Sequence, residues 1–135
     1  MKRSFLALAL FLALTAVAQA ATAVQENIVL YRFHFGLGVG ELAVGQQKMH
    51  AFVDEVITQA FPNGLTIFEA RGQWRSPEHG LTRERTVVVD VQCADSDENS
   101  AAVERIAELY VERFKAARAS VFITRVGPAT ATLYY

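Results

Sequence analysis

Arg32 and His34 stand two residues apart in the alternating run IVLYRFHFGL, so a strand there presents a guanidinium and an imidazole on one face. Glu84 and Asp90 share a parity in a second strand-forming run, with Thr86 and Val88 between them. If those two strands are neighbours, two basic or titratable groups look across at two carboxylates. That arrangement suits a polar binding floor in which Arg32 grips an anionic group, a task its planar fork matches. It also suits acid–base catalysis, with His34, a residue type that trades protons near neutral pH, paired to Glu84 or Asp90. Trp74 and Arg75 close the segment FPNGLTIFEARGQWR, where the indole offers a stacking surface and the guanidinium a carboxylate clamp. The expected ligand-binding set is therefore Arg32, His34, Trp74, Arg75 and Glu84, for a small polar or anionic ligand. The plainer account is cross-strand charge pairing on a solvated sheet, with Trp74 capping the core.

Other chemistries find less support. His34, His50 and His79 show no ligand spacing such as H-x-H or H-E-x-x-H, so no metal is expected. Gly38-x-Gly40-x-x-Ala43 fits the dinucleotide fingerprint, but such a site needs further βαβ units that this pattern does not supply. A flexible loop and no cofactor are expected there. Cys93 has no second cysteine and no nearby base, and reads as a small buried hydrophobe.

These residues need elements to hold them. Residues 28–37 alternate as a strand with Val29, Tyr31, Phe33, Phe35 and Leu37 on its apolar side. Residues 46–61 recur at the helical period through Met49, Phe52, Val53, Val56, Ile57 and Ala60, and Pro62 forces the helix to end near Phe61. Residues 65–74 make a second strand, in which Gly72 points to a bulge or a close backbone approach. A turn cluster at 76–80 leads to a third strand over 82–93, with Val87, Val89 and Val91 inside. A second amphipathic helix is expected over 101–119 through Val103, Ile106, Tyr110 and Phe114, then a strand over 121–126. Gly127-Pro128 should interrupt that strand, leaving 131–135 as a short strand or tail. The order β-α-β-β-α-β is the ferredoxin-like arrangement: an α+β fold with an antiparallel four-stranded sheet and two helices on one face. Its strand order of 4-1-3-2 sets strands one and three side by side, with Leu30, Arg32, His34, Glu84, Thr86, Val88 and Asp90 on the open face.

Residues 1–20 read as an export signal: Lys2 and Arg3, an apolar run from Phe5 to Val17, and the cleavage pattern Ala18-Gln19-Ala20. The apolar run is shorter than the roughly 20 residues a membrane span needs. A second cleavage pattern follows at Ala21-Thr22-Ala23. The expectation is a periplasmic or secreted protein without a membrane anchor, with a disordered leader over 21–27 and one domain over 28–135. Losing Lys2 and Arg3 takes the net charge from −1 to −3, which argues against nucleic acid as a partner. The apolar patch expected on the open face, around Leu30, Val88 and Phe122, suits a second copy of the chain in a homodimer.

Phe61-Pro62-x-Gly64-Leu65-Thr66, Gly72-Gln73-Trp74-Arg75 and Glu84, with Phe35-Gly36 and the helix bearing Tyr110 and Phe114, resemble domain of unknown function family 3574. The similarity runs from about Tyr31 to Val126. Met49 departs from it where the family has an aromatic residue, and residues 116–119 depart where the family tends to carry a Gln. The resemblance implies small bacterial proteins, often exported, and implies no reaction.

Overall fold

The computed structural model describes residues 22–78 and 80–134; the expected export signal and His79 lie outside them. Strand β1 spans Thr22–Gly36, and its alternation buries Val29, Tyr31, Phe33 and Phe35. Residues 22–27 are therefore strand and not a disordered leader. Their sequence advertises no pattern, but the chain's last strand supplies backbone partners from Thr22↔Tyr134 to Gln25↔Ala131. The register shifts between Gln25 and Ile28, where Asn27 adopts a left-handed φ of 51°, a conformation asparagine tolerates at bulges.

A continuous helix, α1, covers 46–60 as Gln46–Phe52, a wider π-helical turn over Val53–Ile57, and Thr58–Ala60. It buries Met49, Phe52, Val53 and Ile57, so methionine fills the place of the expected aromatic ring. Strands β2 (Thr66–Ser76) and β3 (Gly80–Ala94) form a hairpin in unbroken register from Thr66↔Asp90 to Ser76↔Gly80. Gly72 therefore marks a close approach and no bulge: a Cβ there would lie 2.8 Å from Thr86 Oγ1.

Helix α2 spans Asp97–Arg113, starting four residues earlier than its apolar period suggests. Ser96 is its cap, its side chain accepting a hydrogen bond from the Asn99 N–H at 3.2 Å, and Asp97 and Glu98 suit the first turn's dipole. The helix also ends early, giving way to a 3-10 turn over Lys115–Ala117 and to Arg118 at a left-handed φ of 52°. Strand β4 then runs over Ser120–Tyr134, and the expected interruption at Gly127-Pro128 takes the form of a register shift, the ladder to β1 passing from Leu30↔Val126 to Ile28↔Ala129. It lies at the sheet edge, where a residue lacking an N–H costs no ladder bond to a further strand.

The sheet order is β2-β3-β1-β4, antiparallel throughout, and the fold is ferredoxin-like α+β. The helices cover the face bearing Phe33, Phe35, Val87, Val89 and Val91. At its centre the Tyr110 ring lies 4.6 Å from Phe35, 5.3 Å from Phe52 and 5.1 Å from Phe114 between ring centres. Its hydroxyl donates to the Gly36 carbonyl at 3.0 Å. Burial, reinforced by the charge of Glu84, pushes that hydroxyl's pKa up, so it stays a donor. Cys93 is only partly buried, at the rim of this core.

Candidate functional site

Strand parity and register place every residue of the open face. Across the strands β4, β1, β3 and β2, one row reads Thr124, Arg32, Asp90, Thr66, and the next reads Phe122, His34, Val88, Phe68. A third row holds Ser120, Gly36, Thr86 and Ala70, beyond which only β3 and β2 continue, as Glu84 beside Gly72 and Thr82 beside Trp74. The face thus passes from a charged row, through an apolar one, to small residues that open onto Glu84 and Trp74.

Arg32 and Asp90 are fastened to each other. Arg32 Nε donates to Asp90 Oδ1 at 2.7 Å and its Nη2 to Oδ2 at 2.6 Å. These bonds hold the Asp90 carboxyl below the usual carboxylate range, so it is a poor base. They also occupy the fork with which Arg32 would grip an anion. His34 faces Phe122 edge to ring at 5.9 Å, and among the described residues makes no hydrogen bond to Glu84 or Asp90. Four residues along β3 separate Glu84 from the position opposite His34, roughly 13 Å at strand spacing. Neither expected acid–base pair is hydrogen-bonded, and the charge of His34 is only the last of the causes that lower the Asp90 carboxyl. Val88, expected as part of an exposed patch, is buried between His34 and Phe68, whereas Phe122 is 68% exposed.

Trp74 and Glu84 do come together. Glu84 Oε2 accepts the Gly38 N–H at 2.9 Å, and its side chain lies over Gly36, where a Cβ would sit 2.5 Å from Oε1. The carboxylate is thus oriented by main chain and by the absence of a side chain beneath it. Trp74, 44% exposed, stands two residues further along the hairpin on the same face. Between them opens a cavity of about 480 Å³, lined also by Glu41, Leu42, Arg118 and Ser120. Arg75 is not part of it. It follows Trp74 directly, and consecutive strand residues point to opposite faces, so it pairs with Leu81 on the other side.

The residues missed by sequence reasoning are Glu41, Leu42 and Arg118. The first two lie in the glycine-rich loop, which has no periodicity to orient them. Arg118 reads as the wet face of a helix that ends five residues sooner.

The family described as a protein of unknown function, DUF3574, matches residues 30–130. This chain belongs to DUF3574. No curated protein matches it in sequence. Among the solved structures that share the fold of this DUF3574 protein are two with bound small molecules. A phage SAM lyase in complex with S-methyl-5'-thioadenosine superposes with a TM-score of 0.58 at 15% identity, over 82% of this chain and 92% of that one. CutA from Synechococcus elongatus, complexed with a Bis-Tris molecule, superposes with a TM-score of 0.51 at 7% identity, over 81% and 89%. At those identities the likeness is one of fold.

Proposed function

We propose that this protein is an exported module that binds a small polar molecule in the cavity at the end of the open sheet face. One observation carries the reading: an exposed indole and a main-chain-oriented carboxylate converge on the same cavity. Its volume of about 480 Å³ falls within the range of small-molecule sites. Trp74 offers a stacking face for a planar group, and Glu84 accepts from a donor or a cation. With Glu41 and Glu84 both in the lining and Arg118 the one guanidinium among its described residues, the charge balance favours a ligand with a positive or donor-rich group over a free anion. Two proteins of this fold hold small polar molecules, S-methyl-5'-thioadenosine and Bis-Tris, which is in keeping with that reading.

The test is mass spectrometry of small molecules released from the protein purified from its source organism. One species near equimolar with the wild type, and reduced at least about tenfold in Glu84→Gln, is expected. Equal retention by both proteins, or none by either, contradicts the site.

The proposal includes export and self-association. Phe122, Val126 and Phe68 remain exposed on the open face, and a second copy packed against it covers them. Among the described residues no helix is long and apolar enough to cross a membrane. Protein recovered from the exported fraction is expected to begin at Ala21 and to sediment as a dimer. An amino terminus at Met1 contradicts the first half; monomer alone across high micromolar concentrations contradicts the second.

A further inference from the structure

The β2–β3 hairpin outruns the sheet. Pairing of β3 with β1 ends at Thr86↔Gly36, so residues 71–76 and 80–85 form a two-stranded ribbon beyond the body. Trp74 and Glu84 occupy one side of that ribbon. The other side carries Arg71 opposite Arg85, Gln73 opposite Arg83, and Arg75 opposite Leu81. All four arginines are exposed. Elsewhere Arg32, Arg105, Arg113 and Arg125 each hold a carboxylate. On the ribbon Arg83 donates to Gln73 Oε1 at 2.9 Å, while Arg71, Arg75 and Arg85 form no ion pair with a described residue. Glu69 is the nearest carboxylate along that face, and its Oε1 is engaged by Gln46 Nε2 at 3.1 Å.

Like charges directly opposite one another destabilise a strand pair, here one tied to the body by the Leu37 N–H donating to the Arg85 carbonyl at 3.0 Å and the Gly38 N–H donating to Glu84. Arg71 and Arg85 thus face each other as exposed like charges, on a chain whose net charge is −1. Shallow grooves of about 410 and 450 Å³ flank the pair, the first lined also by Glu69 and Val87, the second by Gln73, Arg83 and Glu84, so the arginines outnumber the carboxylate in each. We infer that this face binds a doubly charged oxyanion of the phosphate type between Arg71 and Arg85, with Arg83 in reach of a second charged group. Seated there, the anion turns a repulsion into two charge-assisted contacts, each with a planar fork that suits oxyanion geometry. The arginines point to the side of the ribbon opposite Trp74, while Glu84 lines both the Trp74 cavity and the second groove.

Isothermal titration of the mature protein at low ionic strength, with inorganic phosphate and with inorganic pyrophosphate, tests the inference. Arg71→Gln and Arg85→Gln are each expected to weaken binding by at least about tenfold, while Arg105→Gln, on the far surface of α2, leaves it unchanged. Without anion, both ribbon variants are expected to melt no lower than wild type, because each removes a repulsion and no bond. Preference for pyrophosphate assigns the site to a phosphorylated molecule reaching Arg83; equal affinity assigns it to free phosphate. Failure of the wild type to bind either anion overturns the inference. So does equal binding by the ribbon variants, or ribbon variants that melt lower without anion, which makes the arginines structural.

Discussion

Tyr110→Ala is expected to remove a large part of the stability of the fold. The ring is fully buried and touches Phe35, Phe52 and Phe114, so its loss opens a cavity between both helices and the central strand. Truncations of this kind cost about 3–5 kcal/mol. The substitution also leaves the Gly36 carbonyl without its donor, at about 1 kcal/mol or more. Against a total of about 5–15 kcal/mol for a domain of this size, that loss takes from about a third of the stability to all of it. Tyr110→Phe keeps the ring and gives up the hydrogen bond alone, at about 1 kcal/mol. Urea unfolding followed by far-ultraviolet circular dichroism separates the two. A loss below about 1 kcal/mol for Tyr110→Ala, as at a surface position, means that this cluster is not the core.

Gly38→Ala is expected to strike fold and site together. Gly38 has a φ of +76°, and a Cβ there would lie 2.2 Å from the main-chain oxygen of Ala117. Neither partner is a flexible side-chain end, so the loop must leave the turn that precedes β4. Gly38 also supplies the N–H that orients Glu84, and Ala117 precedes the Arg118 that lines the cavity. Gly40 provides the control: it has the same φ of +76°, with nothing within 4 Å of its missing Cβ. Gly40→Ala pays only for the left-handed backbone, about 1 kcal/mol. Gly38→Ala should exceed it by at least about 2 kcal/mol, since the added term is a core-like overpacking against rigid backbone. Equal losses in urea unfolding show that the loop does not press on the turn.

Much of the fold was legible because strand parity and helical period record which side of an element is buried. Val29, Tyr31, Phe33 and Phe35 go inside on that ground alone, and Arg32 meets Asp90 once the strand order is known. The errors arise where another strand or a backbone turn decides. Residues 22–27 are strand because β4 pairs with 22–25, and β4 resumes beyond Gly127-Pro128 after a register shift that an edge strand tolerates. Trp74 and Arg75 are neighbours in sequence but face opposite sides of the hairpin, by the same parity that sets Arg32 and His34 on one face. Glu84 was legible as an open-face carboxylate. Its partner, the Gly38 N–H, was not, because it comes from a loop 46 residues away in the chain.

Trp74 is the only tryptophan in the chain, so its emission reports on the cavity without added label. Titrating the protein with the low-molecular-weight extract of its source organism, fractionated, tests the central claim most directly. The account predicts a fraction that shifts and saturates the Trp74 emission in wild type and fails to do so in Glu84→Gln, while both proteins melt alike. Emission unmoved by every fraction, or moved equally in wild type and Glu84→Gln, contradicts it.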